Sequence, residues 1–151
     1  MILRRAAQTD HASIVALQRA AYARNRAIMG VEPLPLQADY ADILRRHESW
    51  VMEEGGRLAG CLILDLRPDD LLIWSIAVHP DLQGHGTGRA LLAHAEARAG
   101  EAGRETIRLY TAEAVTRNVA WYARRGFAVE RVEPMPDRRA VHMAKRLGGG
   151  R

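Results

Sequence analysis

An α+β fold on one mixed, mostly antiparallel sheet is the class this sequence predicts, and three observations predict it. Apolar runs of strand length follow one another across short turns between residues 50 and 78, with Gly55-Gly56 joining the first two. That spacing makes antiparallel neighbours. One helical stretch, "GTGRALLAHAEARAG", then separates "LLIWSIAV" from "ETIRLYT", and a strand–helix–strand crossover places its two strands in parallel. Two further strand patterns close the chain with no helix between them. Helices and strands do not alternate regularly, so a doubly wound sheet is not predicted. The chain has 151 residues, 48% of them hydrophobic. That suffices for one core without disulfides or a structural metal, so residues 1–151 are read as one domain.

Taken in order, "ILRRA" is the first strand, and "TDHASIVALQRAAYARN" the first helix, with Thr9 or Asp10 at its cap. Ile14, Leu17, Ala21 and Ile28 recur at helical spacing and are expected to be its buried face. "MGVEPLPLQADY" is interrupted by Pro33 and Pro35 and is expected to be an irregular extended loop. "DYADILRRHE" is a second, shorter helix; "WVMEE", "RLAGCLILDL" and "LLIWSIAV" are three neighbouring strands, the last two joined by the turn "RPDD". In the crossover helix Leu91, Leu92, Ala95 and Ala99 mark the inner face, and Gly100 or Gly103 ends it. In "ETIRLYT", Ile107 and Leu109 alternate with Arg108 and Tyr110. "TRNVAWYARRG" is a helix from Thr116 to a stop at Gly126, and "FAVERVE" and "RAVHMAKRL" are the closing strands. The total is six to seven strands and about four helices; the tail 148–151 is expected to fray.

The formal charge is +4, carried by arginine; Lys145 is the only lysine. The arginines are scattered among acids with no basic stripe and no interleaved aromatics, so no nucleic-acid partner is expected. A modest basic excess suits an anionic small molecule. Cys61 lies in an apolar strand and reads as a buried, inert thiol. No apolar run approaches the roughly 20 residues that span a bilayer, and "MILRRAAQTD" has no secretory pattern. A cytoplasmic protein with no membrane partner is expected. His79 and His85 lack metal-ligand spacing, and the other histidines are dispersed, so no metal is expected.

Between "IAVHP" and the crossover helix, glycines stand at 84, 86 and 88, with Arg89 following. Successive backbone N–H groups running into a helix N-terminus form a concave anion site, and glycines let an oxygen approach without meeting a Cβ. The spacing is not the G-x-G-x-x-G of a dinucleotide fold, and no lysine follows as in a P-loop. Gln83-Gly84-His85-Gly86-Thr87-Gly88, after "IAVHP" and before "RALL", resembles the [RQ]-x-x-G-x-[GA] pattern of the GCN5-related N-acetyltransferases. The likeness extends to the N-terminal strand–helix and to "WYARRGF". It implies a sheet whose central parallel pair splays apart, and acetyl-CoA as co-substrate. The amides of Gly84, His85, Gly86, Thr87, Gly88 and Arg89, with Gln83, are expected to cradle its pyrophosphate. The backbone of Ile76, Ala77 and Val78 is expected to bond the pantetheine arm.

The resemblance also implies a primary amine acceptor, with Tyr122 as general acid to the departing thiolate and an N–H near Val78 as oxyanion donor. Asn118, four residues before Tyr122, shares its helix face and is expected to touch the cofactor. Two departures stand out. Val115 occupies a position where relatives carry asparagine, and Trp74 stands about where many carry a catalytic glutamate. With an alkyl amine only about one molecule in 10³ is neutral at pH 7, so a proton acceptor is needed. Glu113 is the candidate, ahead of Asp39 and His79. The acceptor is expected to enter beside the "IMGVEPLPLQADY" loop, and the protein to be a monomer or homodimer. The alternative is a catalytically silent acyl-CoA-binding module, which would bind CoA and release no thiol with any amine. A nucleotide binder would be stabilised by ATP or NAD instead, and a nucleic-acid binder would show steep salt dependence.

Overall fold

The computed structural model describes residues 1–148. Seven strands form one sheet in the order β1-β2-β3-β4-β5-β7-β6. They are β1 Ile2–Arg5, β2 Glu48–Glu54, β3 Arg57–Leu66, β4 Leu71–Val78, β5 Thr106–Ala112, β6 Ala128–Pro134 and β7 Arg139–Arg146. Only β4 and β5 run parallel; every other pair is antiparallel. The helices are α1 His11–Met29, α2 Leu34–Gln37, α3 Tyr40–Arg46, α4 Thr87–Glu101 and α5 Thr116–Ala123.

Alternating residues of β3 feed two cores. Leu62 and Leu64 join Leu91, Leu92, Ala95 and Ala99 of α4 on one face. Cys61 and Ile63 join Ile14 and Leu17 of α1 with Tyr40 and Ile43 of α3 on the other. This is the period-two consequence of a sheet covered on both sides. Burial pushes the Cys61 thiol up to about 12, as expected of an inert buried cysteine.

Two expectations are corrected. The proline segment is not wholly irregular. Pro33 caps a single helical turn, α2, with Pro35 in its first turn, where a missing N–H costs nothing. Among the described residues the α-helices number five, against about four expected. Ile28 is 45% exposed instead of buried; the inner residues of the same stretch of α1, Ala21, Tyr22, Asn25 and Met29, border a cavity. The predicted frayed tail falls chiefly on 149–151, outside the described residues.

The feature that positions the site is a failure of pairing. β4 and β5 are bonded only at Leu71↔Ile107 and Leu72↔Arg108, and from Ile73 onward they splay. Asp70, 4% exposed, clamps the closed end of this V. Its carboxylate accepts from Arg67 Nε at 2.6 Å and Arg67 Nη2 at 2.7 Å in the β3–β4 turn, and from Arg108 Nη1 on β5 at 2.9 Å. Within the V, β4 carries a bulge: Leu64 pairs with Ile73 and Ile63 with Ser75, leaving Trp74 extra. A bulge turns two successive side chains to one face. Trp74 accordingly packs on Tyr40 (5.9 Å between ring centroids), while Ser75 meets Gln18 (3.2 Å) and Tyr22 (3.0 Å) of α1.

Candidate active site in the split between β4 and β5

A cavity of about 670 Å³ fills the V and reaches both faces of the sheet. One edge is the free half of β4. His79 N–H bonds Ala59 O at 2.8 Å and Gly60 stands opposite Val78. Since antiparallel partners alternate, Ala77 turns its N–H and C=O to β3, whereas Ile76 and Val78 turn theirs into the split. The backbone role expected of Ala77 is thus corrected: its polar groups are taken by the sheet. Val78 O does face the split, and Gln83 Nε2 reaches back to it at 3.3 Å.

The glycine turn closes the α4 end. Gly84 (φ +87°) and Gly86 (φ +86°) adopt the left-handed region open mainly to glycine. Gly86 is the N-cap of α4, with no side chain capping it. The first backbone bond of the helix is Ala90 N–H to Gly86 O. Among the described residues, the amides from Gly84 to Arg89 have no backbone acceptor, the condition that makes a helix start an anion site. Gln83, Gly84, Gly86, Gly88 and Arg89 line the cavity; the side chains of His85 and Thr87 do not. Thr87 is buried, its methyl against Gly60 of β3, so these two residues offer only amides. Gly88 lets α5 approach: a Cβ there would sit 3.4 Å from Trp121 Cζ2.

From α5 come Asn118, Trp121 and Tyr122. Tyr122 is wedged against Trp121 and Phe127, with ring centroids at 5.0 and 5.5 Å, and burial holds its phenol well above the ordinary value. Val115 is the buried N-cap of the same helix. Sequence reasoning missed Arg124 and Arg125, which line this end; Arg125 stacks on Trp121 at 3.8 Å. Their spacing from the loop gave no signal, because a helix and a distant turn bring them together.

The candidate proton acceptors fare less well. No lining residue of the main cavity is an acid or a histidine. Glu113 is half exposed, accepts from Arg139 Nε at 2.9 Å, and borders a smaller adjoining cavity that shares Met29, Ala112, Arg138 and Arg139 with the main one. Asp39 caps α3, accepting from the Ala41 and Asp42 amides. His79 Nδ1 accepts from the Asp81 amide at 3.2 Å. Neither lines the cavity. Among the described residues no cluster of three or more His, Cys, Asp or Glu is placed to hold a metal ion. No described helix is long and apolar enough to cross a membrane.

Residues 14–127 match the Acetyltransferase (GNAT) family. The amino-acid acetyltransferase of Ralstonia nicotianae is 36% identical over 95 residues, 61% of this chain and 20% of that protein. The L-2,4-diaminobutyric acid acetyltransferase of Bordetella parapertussis is 41% identical over 70 residues, 41% of this chain and 38% of that protein. The chain therefore spans only about a fifth to two-fifths of these relatives. Among solved structures, the paia N-acetyltransferase of Thermoplasma acidophilum, in complex with coenzyme A, superposes with a TM-score of 0.81 at 17% identity, over 96% of this chain and 98% of that one. The ribosomal-protein-S18-alanine N-acetyltransferase of Escherichia coli gives 0.78 at 22%, over 97% and 93%. The family match covers most of the chain and the fold agrees along nearly all of it: this chain belongs to the GNAT acetyltransferase family.

Proposed function

We propose that this GNAT-family domain transfers the acetyl group of acetyl-CoA to a primary amine by direct attack, with Tyr122 as general acid. One observation carries the reading. A run of unpaired amides at the start of α4 opens onto the same cavity as the unpaired half of β4 and the ring of Tyr122. A diphosphate suits the first, a pantetheine amide the second, and a thioester between them lies within reach of the third. The names of the relatives, an amino-acid acetyltransferase and an L-2,4-diaminobutyric acid acetyltransferase, support the acceptor class.

In this reading the amides of residues 84–89 bind the pyrophosphate, with Arg89, Arg124 and Arg125 supplying charge. Ile76 and Val78 offer backbone groups to the pantetheine arm, and Asn118 borders its thiol end. The amine nitrogen attacks the thioester carbonyl; Val78 N–H stabilises the oxyanion; the C–S bond breaks, and the thiolate takes the Tyr122 proton. A phenol held high by burial is a weak acid, but the thiolate forms in the same desolvated space. Burial raises thiols as well, so a thiolate formed there is also the stronger base. The proton lost by the attacking nitrogen returns through water to the Tyr122 phenolate; the earlier proton, shed when the ammonium becomes the neutral amine, passes through water to Glu113 at the adjoining cavity.

Acetyl-CoA-dependent thiol release across an amine panel tests this, with Tyr122→Phe as control. Release with at least one amine, reduced in the variant while CoA still binds, is the expected result. The absence of an acid from the main cavity favours the silent-module reading, and that reading predicts CoA binding with no release for any amine.

A further inference from the structure

The lining of the cavity carries a one-sided charge that the transfer reaction by itself does not require. Three arginines stand at the α4 end, where CoA phosphates would meet them. Four more, Arg24, Arg117, Arg138 and Arg139, line the remainder, and no Asp or Glu joins them. Arg139 is occupied by Glu113. Among the described residues Arg117, at the start of α5, finds only the Oδ1 of buried Asn25 on α1, at 3.3 Å. Arg24, one residue before Asn25, has no ion pair with a described residue.

Arg138 is the most constrained. It lies in the turn between β6 and β7, where Met135 N–H bonds its carbonyl at 2.8 Å. Its side chain is 8% exposed. Nε and Nη2 donate to the half-exposed Asp137 at 2.9 and 3.0 Å. Nη1 is buried and, among the described residues, has no acceptor. A buried guanidinium N–H left without an acceptor is expensive unless something else supplies one, and this residue borders both the main cavity and its smaller neighbour.

Resting on the transferase reading above, we propose that the α1 end of this cavity is a carboxylate-binding subsite, with Arg138 as anchor and Arg117 as second donor, so that the acceptor is an amine that also carries a carboxylate. Guanidinium matches a carboxylate in geometry and charge. The same field repels a second ammonium, which counts against polyamines and other polycations as acceptors. It also disfavours the protonated form of the reacting amine, which lessens the demand for a nearby base in a cavity that contains none. Asn25, Arg117 and Arg138 all line the main cavity, so the Arg117–Asn25 contact and Arg138 border the same space.

The test compares each amino acid with its own carboxamide, alongside spermidine and phosphoethanolamine, by thiol release from acetyl-CoA on the full chain. The best acceptor is expected to be an acid, with its amide poorer by about tenfold or more in kcat/KM, mostly through KM. Arg138→Gln should shrink the acid–amide gap to within about threefold, and Arg138→Lys should restore part of it. CoA affinity should stay unchanged in both. Arg117→Gln, should Arg138→Gln fail to fold, is expected to narrow the gap as well. Equal rates for acid and amide, preference for spermidine or phosphoethanolamine, or a folded Arg138→Gln that keeps the full gap would each overturn the subsite and leave the transferase reading standing. CoA binding with no amine turned over at all overturns both.

Discussion

At its α4 end the central cavity is walled by one short stretch of chain, Gln83 to Arg89, in which two glycines take left-handed angles and the amides from Gly84 to Arg89 have no backbone acceptor among the described residues. At its α1 end the wall is drawn from α1, the turn before β7 and the start of α5, residues separated by up to a hundred positions or more in the chain. One end is a local conformation; the other exists only once the sheet has formed. In the proposed reading the first offers backbone donors and needs glycine where φ is positive. The second, in the same reading, offers side-chain cations and depends on each of them. Family likeness should therefore reside at the first and substrate choice at the second.

Tyr122 stands where the ends meet, and its removal should have the largest effect. Tyr122→Phe is expected to lower kcat by about a hundredfold and to change the CoA Kd by less than about twofold, measured by thiol release and calorimetry. An equal fall in both would make it a packing residue of the α4 end only.

Asp70→Asn attacks the hinge that both ends share. Removing a buried carboxylate from two guanidinium groups should cost about 2 kcal/mol, read by urea unfolding at neutral pH. Arg67, with Arg108 adding to it, holds the Asp70 carboxyl below the usual range. Its contribution is thus complete above about pH 4 and is lost as pH falls below that. The gap between wild type and variant should close in acid; a gap independent of pH would mean the clamp is not ionic.

Gly84→Ala sharpens the contrast. A Cβ at Gly84 meets nothing within 4 Å, so the cost is conformational alone, through φ +87°. About 1–2 kcal/mol is expected, or roughly tenfold in CoA Kd, with the acid–amide preference of the acceptor unmoved. Glu113→Gln should do least, lowering kcat/KM by about threefold, because the residue acts only through water at the outer rim.

What the sequence disclosed follows the same division. The three neighbouring antiparallel strands, the single crossover and the inner face of α4 were legible because period and turn chemistry are local, and so was the glycine loop; the place of β7 between β5 and β6 was not. The bulge at Trp74 was not: it is a register fact, visible only against β3. Nor was the cap role of Asp39, nor the withdrawal of Glu113 from the main cavity, since both depend on partners met after folding. Arg117 and Arg138 looked like scattered surface charge, and only their burial around one space gives them meaning.

The claim most in need of trial is that the coenzyme is held by main-chain donors at the α4 end. Amide ¹H–¹⁵N spectra recorded during titration with acetyl-CoA address it directly. The largest shifts are predicted at Gly84 to Arg89, with smaller ones at Ile76 and Val78 and little change near Asn25 and Arg138. If the loop amides stay still while the α1 end moves, the two ends have been assigned the wrong way round.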